Sequence, residues 1–346
     1  MGSKTRGIFL YVIAFALLCA SGGVLYGAQQ QRTPVSTIHT SLVSVPVNSL
    51  ALVTEPQGGM APVERLIESA STSIDLVMYE LNDKNLEALL AARAREGITV
   101  RVVLDNGYFG AGSAVNEEAF DYLRSNGIQV HWSPPYFALT HQKTLVIDDT
   151  EALIMTFNLS PQYYRSDRDF GVLDADPNDV TAIEQTFDAD WNGKQIPSQN
   201  GDDLVWSPNA LGQLLGLIDG ATSTLDVYNE EMEDPQIISS LEQAAARGVN
   251  VDVDMTYSAN WMAAFTELSH AGVHVRTYAT NAPLYIHAKV IVADNEEAFT
   301  GSQNFSSTSL DQNRELGLVT SDPNVIDSLA RTFASDWQSA TPFLVQ

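Results

Sequence analysis

The second half of the chain repeats the first, and this repeat limits what the sequence can fold into. Ala70-Ser-Thr-Ser-Ile-Asp75 resembles Ala221-Thr-Ser-Thr-Leu-Asp226, and His141-Gln-Lys143 resembles His287-Ala-Lys289. From the histidines onward, equivalent residues lie 146 positions apart. A period of that length is too long for a solenoid of short repeats. The 346 residues therefore predict two copies of one domain.

Helical and extended patterns alternate within each copy. In the first copy, a helix ends near residue 70, further helices are predicted over 83–96 and 117–125, and strands over 74–79, 99–104 and 128–132. Residues 144–147 and 152–156 read as a hairpin around an acidic turn. The order repeats in the second copy. It predicts an α/β fold with two mixed β-sheets, each flanked by helices, packed about a pseudo-twofold axis.

The N-terminal segment is predicted to target the chain to a membrane. Residues 7–28 carry no charge and follow Lys4 and Arg6. Such a run is about 33 Å long as a helix, enough to span a bilayer core. Residues 1–28 are therefore expected to be a transmembrane anchor or a cleaved signal peptide, with the remainder exported, either membrane-anchored or secreted. Residues 29–59 read as a linker, followed by domains over 60–198 and 199–346.

Each copy carries a histidine, a lysine and an aspartate at a fixed spacing, which are His141, Lys143 and Asp148 in the first and His287, Lys289 and Asp294 in the second. A hydroxyl residue, an asparagine and an acid follow, which are Thr156, Asn158 and Asp169, then Ser302, Asn304 and Glu315. Residues two apart on a strand point to the same face. The histidine and lysine of each copy can therefore meet one ligand.

This arrangement resembles the phospholipase D superfamily, whose signature is a duplicated His-x-Lys-x4-Asp motif followed by Gly-Ser-x-Asn. The resemblance covers about residues 60–340, and the second motif is complete, with Gly301 before Ser302. The first motif departs at Met155, where the family has glycine, and at Thr156, which keeps the hydroxyl. Bulk at Met155 is expected near the phosphate, which would make the two half-sites unequal. The resemblance implies two phospholipase D-like domains with one shared active site.

The residue types suit phosphodiester chemistry without a metal. A neutral imidazole can attack phosphorus and form a phosphohistidine, while a protonated imidazole supplies the leaving alkoxide with a proton. Two lysines provide the charge that other phosphodiesterases take from metals. The candidate catalytic residues are thus His141, Lys143, Asn158, Asp169, His287, Lys289, Asn304 and Glu315, with no cofactor expected.

The acids Asp169 and Glu315 are expected to accept the second N–H of the imidazoles and fix their tautomers. By resemblance, the structural members of the motifs are Asp148, Asp294, Thr156 and Ser302. Resemblance also favours His141 as the nucleophile and His287 as the general acid, and the reverse assignment stays open.

Charge and apolar segments indicate the partners. The chain has 43 acidic and 18 basic residues, a net charge of −25, which disfavours nucleic acid. Of its five lysines, two lie at equivalent motif positions. Apolar segments precede both motifs and offer candidate contacts for acyl chains or a membrane surface, or else interface packing; these are Tyr136, Phe137, Leu284 and Tyr285.

These observations together predict a phospholipase D-type phosphodiesterase that hydrolyses glycerophospholipids to phosphatidate and a free head group. The alternatives are a transphosphatidylase similar to cardiolipin synthase, an extracellular nuclease, and a phospholipid-binding protein without catalysis. A monomer is expected, because one chain carries both motifs.

Overall fold

The alternating pattern of the first half forms a mixed sheet with helices around it. A computed structural model describes residues 51–345 of the chain. The strands of the first half are β1 (Ala51–Glu55), β2 (Ser73–Met78), β3 (Thr99–Leu104), β4 (Gln129–Trp132), β5 (Thr144–Ile147), β6 (Glu151–Met155) and β7 (Asp167–Asp174). Its helices are α1 (Ala61–Ser69), α2 (Lys84–Arg95), α3 (Glu117–Ser125) and α4 (Pro177–Trp191).

The second half repeats this order with small additions. Its strands are β8 (Leu204–Ser207), β9 (Thr224–Tyr228), β10 (Asn250–Thr256), β11 (His274–Tyr278), β12 (Tyr285–Ile286), β13 (Val290–Ala293), β14 (Glu297–Gly301), β15 (Glu315–Thr320) and β16 (Thr341–Pro342). Its helices are α5 (Leu211–Gly220), α6 (Pro235–Arg247), α7 (Met262–His270), α8 (Ser307–Asp311) and α9 (Pro323–Ser339). Single turns of 3-10 helix occur at Tyr108–Gly110 and Ala259–Trp261.

The two sheets have equivalent strand orders, except that β16 is added at one edge of the second. The first sheet runs β1-β7-β6-β5-β2-β3-β4, and the second, from its equivalent edge, runs β8-β15-β14-β13-β9-β10-β11-β16. The strands β2, β3 and β4 are parallel, as helical crossovers require, whereas the hairpin strands β5 and β6 pair antiparallel with their neighbours. The predicted fold class, two mixed sheets flanked by helices in a duplicated phospholipase D-like arrangement, is confirmed.

Local sequence explains where the main helices begin. The helices α2, α4, α6 and α9 each follow an aspartate whose carboxylate accepts hydrogen bonds from the first-turn N–H groups, namely Asp83, Asp176, Asp234 and Asp322. Proline occupies the first turn of α4, α6 and α9, where no N–H is needed. An aspartate cap of this kind is worth about 1 kcal/mol. These caps orient the chain between each strand and the helix that follows it.

Each half has its own apolar core, and further apolar clusters join the halves. One joining cluster packs Val146 and Ile154 of the first half with Leu316 and Leu318 of the second. Strand β12 also pairs with β7 of the other half, with Tyr285 opposite Asp167. The described residues therefore form one compact unit, with the segment before each lysine at the contact between the halves.

One predicted boundary differs from the structure. Ala51–Glu55, which the sequence interpretation places in the linker, forms β1 and pairs antiparallel with β7 along its whole length. Five residues without regular alternation carry little strand signal on their own, and the partner strand supplies the order. Residues 1–28 and most of the linker lie outside the described residues. Within residues 51–345, no helix is long and apolar enough to cross a membrane.

Candidate active site

Each motif histidine is held by the backbone of the opposite half. The N–H of His141 donates to the carbonyl of Arg314 at 2.9 Å, and the N–H of Ala288, next to His287, donates to the carbonyl of Arg168 at 2.8 Å. Arg168 and Arg314 are equivalent positions of the repeat. Each histidine therefore lies beside the acid-bearing strand of the other half, and both side chains line one pocket.

The two histidine–carboxylate pairs cross between the halves. His141 Nδ1 lies 2.9 Å from Glu315 Oε2, and His287 Nδ1 lies 2.9 Å from Asp169 Oδ1. A carboxylate accepts a hydrogen bond from a protonated nitrogen, so each Nδ1 carries hydrogen and Nε2 is the ring nitrogen that remains for chemistry. The motif acids thus orient the imidazole of the partner half rather than that of their own half.

Burial and the neighbouring charges lower the pKa of both members of the first pair, His141 and Glu315. It lowers the pKa of His141 below its ordinary 6.5, and the attraction of Glu315 only partly offsets the effect. Burial also opposes ionisation of Glu315, but His141 and Lys143 outweigh it and hold the pKa of this carboxyl below 4.5. At neutral pH, His141 is therefore a neutral imidazole, and its Nε2 has a free lone pair.

The lysines lie immediately behind the histidines. Lys143 Nζ donates to the carbonyl of His141, and Lys289 Nζ donates to that of His287, both at 2.5 Å. Both side chains are buried. Burial lowers the pKa of Lys143 to about 7. The two Nζ groups therefore lie close to the two imidazoles, and Lys143 is fully charged only below about pH 7.

A pocket of about 780 Å³ is lined by both histidines, His141 and His287. The amide oxygens of Asn158 and Asn304, both lining residues, are buried and have no hydrogen-bond partner within residues 51–345. Unpaired buried oxygens are rare in proteins and indicate space for a polar ligand. The other lining residues include Tyr79, Glu80, Leu139, Tyr163, Asp167, Glu230, Glu231, Glu233, Tyr285 and Asn313.

The other motif members lie around this centre. Asp148 accepts hydrogen bonds from Ser71, Thr72 and Ser73, and Asp294 accepts from the equivalent segment Thr222–Thr224. These donors hold the pKa of Asp148 and of Asp294 below its ordinary value, although partial burial opposes this. Neither aspartate lines the pocket. Both instead fix the turn after the motif strand to the start of the neighbouring strand.

The hydroxyl residues lie beside the acids. Thr156 Oγ1 donates to Asp169 Oδ1 at 2.5 Å, and Ser302 Oγ lies 3.3 Å from the carbonyl oxygen of Leu316. Glu315 receives further hydrogen bonds from Ser309 Oγ and Asn313 Nδ2 at 2.6 and 2.9 Å. Each acid is therefore fixed by hydrogen bonds from its own half in addition to its contact with the histidine of the other half.

Met155 does not crowd the phosphate site, contrary to the sequence expectation. Its side chain is fully buried in the core of the first half, opposite Gly171 across the β6–β7 pair. In the second half, Gly301 lies opposite Gly317 at the same register, and Phe299 fills the space. Met155 therefore occupies, on the core side of the sheet, the space that Phe299 occupies in the second half, and it lies away from the pocket.

Of the four candidate lipid contacts, the structure brings one to the pocket. Tyr285 lines it, whereas Leu284 packs in a cluster at the interface. Phe137 is buried beneath the guanidinium of Arg314, 4.3 Å from its ring centroid. Tyr136 packs against Phe137. The apolar segment before the first motif therefore serves the contact between the halves.

Sequence reasoning missed several lining residues, above all Glu230 and Tyr79. Glu230 Oε2 is 3.1 Å from Lys289 Nζ, and the Tyr79 ring lies 4.9 Å from Lys143 Nζ. The repeat offers a signal for both, because each lies just after the strand that follows the matched Ser/Thr segment. Arg168 and Arg314, undecided from sequence, form buried ion pairs with Asp336 and Asp190 of the opposite halves.

Two clusters within residues 51–345 bring three metal-type ligand atoms within 4.8 Å of one another. In the first, Asp167 and Asp169 flank His287, whose Nδ1 is already hydrogen-bonded to Asp169. The second consists of Asp75, Asp149 and Glu184. The guanidinium of Arg101 contacts Asp75 and Glu184 there and supplies the positive charge.

Two similar α/β halves that each contribute a histidine to a common pocket, with a lysine buried behind it, define a phospholipase D-type phosphoryl-transfer enzyme. A family model described as "Cardiolipin synthase, PLD-like domain" matches residues 63–191 and 214–337, well over half of the chain. The chain therefore belongs to the phospholipase D superfamily.

Individual proteins that resemble this chain include one relative by sequence and two solved structures. Cardiolipin synthase A of Pseudomonas entomophila (strain L48) is 25% identical over 340 residues, covering 85% of this chain and 69% of its own. Phosphatidylserine synthase of Haemophilus influenzae Rd KW20 shares the fold with a TM-score of 0.67 at 12% identity, covering 87% of this chain and 88% of its own. Polyphosphate kinase of Porphyromonas gingivalis shares it at the same TM-score and 18% identity, and this chain spans 47% of that protein.

These comparisons correct two predictions. Hydrolysis to phosphatidate, and with it a role in lipid degradation, is wrong, because the matching relatives are named cardiolipin synthases. Two histidines and two lysines activate phosphorus without selecting water as the acceptor, so the motifs alone could not decide this. The prediction of an exported enzyme is also wrong. It rested on residues 1–28, which lie outside the described residues, and the relatives found are cardiolipin synthases.

Proposed function

We propose that the protein is a phosphatidyltransferase that moves the phosphatidyl group of a glycerophospholipid onto an alcohol acceptor, as in cardiolipin synthesis. The observation that carries the proposal is the crossed pair of histidines in one pocket, each oriented through Nδ1 by a carboxylate of the other half. The names of the relatives support transfer to an alcohol as the outcome.

In the first step of this proposal, His141 Nε2 attacks phosphorus and His287 Nε2 gives its proton to the leaving head-group oxygen. The P–O bond breaks, and a phosphatidyl-histidine forms. In the second step, the acceptor hydroxyl attacks phosphorus while its proton passes to His287, and His141 is released. The donors to the non-bridging oxygens are the Nζ groups of Lys143 and Lys289 and the Nδ2 groups of Asn158 and Asn304.

Restricted access of water supports transfer over hydrolysis as the main reaction. The side chains of His141 and His287 are 10% and 11% exposed. An acceptor that fills the pocket excludes water from the covalent intermediate. Since the substrate is a lipid, the pocket must meet a membrane surface, and we propose that one chain suffices because it supplies both histidines.

Products distinguish transfer from hydrolysis. We expect the full-length enzyme, given phosphatidylglycerol vesicles in H2¹⁸O, to form cardiolipin and free glycerol in equal amounts, with ¹⁸O-labelled phosphatidate as a minor product. Mass spectrometry of the lipids measures both products, and His141→Ala is the blank. Labelled phosphatidate as the main product at every phosphatidylglycerol concentration would refute the proposal.

The pH dependence of substrate binding tests the role of Lys143. Its pKa of about 7 in the empty pocket means that the ammonium is charged below pH 7 and loses its proton above it. A phosphodiester keeps its charge across this range, so binding above pH 7 must first return a proton to the lysine. We expect KM for bis(p-nitrophenyl) phosphate to rise by up to about tenfold per pH unit above 7.

Lys143→Met is the matched variant for this measurement, because it keeps the chain length and removes the titrating group. Its KM should be raised at pH 6 and stay nearly flat above pH 7. A KM for Lys143→Met that still follows the wild-type pH profile would assign the dependence to another group.

A further inference from the structure

Glu230 brings a carboxylate to the reacting side of His287. Its Oε2 lies 3.1 Å from Lys289 Nζ and 3.5 Å from His287 Nε2. Its Oε1 accepts a hydrogen bond from Tyr285 Oη at 3.1 Å. Burial would raise the pKa of Glu230, but the charges of Lys289 and His287 outweigh it and hold the pKa well below the usual range. Glu230 is therefore an anion at every pH at which the enzyme would work.

The equivalent position in the first half is neutral. Tyr79 takes the place of Glu230, and its ring meets the His141 ring edge-to-face, with centroids 4.6 Å apart. Burial raises the pKa of Tyr79 above its ordinary value, so it stays an uncharged phenol. Its π-face attracts Lys143 but gives His141 no negative partner at Nε2.

A second pair of equivalent positions is also acidic near His287 and uncharged near His141. Asp167 belongs to the group of acidic atoms around His287, and the equivalent residue of the second half is the uncharged Asn313. Other charged groups facing His287 have counterparts at His141: Asp169 corresponds to Glu315, and Lys289 to Lys143. Glu80, the remaining nearby carboxyl, acts on both His287 and Lys143. Glu230 also acts on His141 over a longer distance. Among the described residues, the repeat therefore places more negative charge beside His287 than beside His141.

We propose that Glu230 is the positioning residue that keeps the proton on His287 Nε2, so that His287 serves as general acid and His141 as nucleophile. This inference rests on the proposed transfer reaction and deepens it. An imidazole with carboxylates at both nitrogens is stabilised as the imidazolium. When substrate binds, the leaving-group oxygen replaces Glu230 at Nε2 and receives the proton as the P–O bond breaks. The acceptor hydroxyl later returns a proton to the same nitrogen.

Glu230→Gln tests the proposal, because glutamine keeps the shape and removes the charge. With an alkyl leaving group, as in phosphatidylglycerol, we expect kcat at pH 7 to fall by about tenfold or more. With bis(p-nitrophenyl) phosphate, whose leaving group needs no proton, the rate of the first p-nitrophenolate release should stay within about twofold.

Glu233→Gln is the control, since Glu233 lines the same pocket without contacting His287 or Lys289. It should leave the ratio of the two rates unchanged, and Glu230→Asp should restore part of it. Equal losses with both substrates would assign Glu230 a structural role only and overturn the proposal. A lower KM with an unchanged ratio of the two rates would overturn it too, because Glu230 would then merely compete with phosphate.

The same pair of substrates separates this inference from the proposed function. If p-nitrophenyl substrates fail to form the phosphohistidine in His287→Ala, the assignment of the acid is wrong, and the two-step reaction as written fails. If they form it in His287→Ala while Glu230→Gln shows no dependence on the leaving group, only the role of Glu230 fails.

Discussion

Replacing either His141 or His287 with alanine should lower phosphatidyl transfer by roughly 10³-fold or more while the fold survives. The reason is that one pocket holds both imidazoles and each half contributes one. Neither half then retains a complete site. Initial rates of cardiolipin formation, with circular dichroism and thermal unfolding of each variant, measure the two parts of this expectation.

His270→Ala provides the control, since His270 lies at the end of α7 and does not line the pocket. It should transfer at close to the wild-type rate. Near-normal turnover by either motif variant would refute the shared site and indicate that a single motif is sufficient.

Asp336→Asn should destabilise the protein by about 3–5 kcal/mol, because it leaves a buried guanidinium without its partner. Arg168 of the first half meets Asp336 of the second through Nε at 2.6 Å and Nη2 at 2.9 Å. The two side chains are 3% and 7% exposed. Tyr228 also donates to the Asp336 carboxylate at 2.7 Å. The free energy of unfolding in urea measures the loss.

Asp327→Asn, in the same helix and exposed to solvent, removes the same charge without breaking a buried pair. It should change the free energy of unfolding by less than about 0.5 kcal/mol. Equal effects of the two substitutions would show that net charge, rather than the pair between the halves, sets the stability.

Much of the fold was predictable because the repeat doubled every signal. The strand Thr99–Leu104 and the helix Glu117–Ser125 have the predicted bounds, since β-branched alternation and an amphipathic pattern are local properties. Strand β1 was missed because five residues gain their order from β7, which lies far away in sequence. The predicted domain limits at 60–198 and 199–346 stay a prediction.

The candidate site residues follow from their spacing in the sequence, but the contacts they make in the structure do not. Nothing local in Asp169 or Glu315 shows that each acid contacts the histidine of the other half, because the contact depends on how the halves pack. Glu230 was missed because it belongs to neither motif. Its role becomes visible only in the fold, where the residues after β9 bring it beside Lys289. Met155 was misjudged because a departure from a motif does not reveal which face of the strand it occupies.

The acceptor could not be predicted from the motifs for a chemical reason. Water and an alcohol attack the same phosphohistidine, and the choice depends on what fills the pocket at that moment. The residues that bind the phosphoryl group are the same in both reactions. The names of the relatives therefore favour transfer over hydrolysis, whereas the two motifs favour neither.

Locating the covalent intermediate tests the shared two-histidine site most directly. His287→Ala would be mixed with bis(p-nitrophenyl) phosphate, quenched within one turnover under alkaline conditions that preserve phosphohistidine, and mapped by tandem mass spectrometry. The expected result is a p-nitrophenyl phosphoryl group on His141, released together with one equivalent of p-nitrophenolate, and none on any residue of His141→Ala. A label on His287 in His141→Ala would reverse the two roles, and turnover without a phosphohistidine in either variant would contradict the covalent mechanism itself.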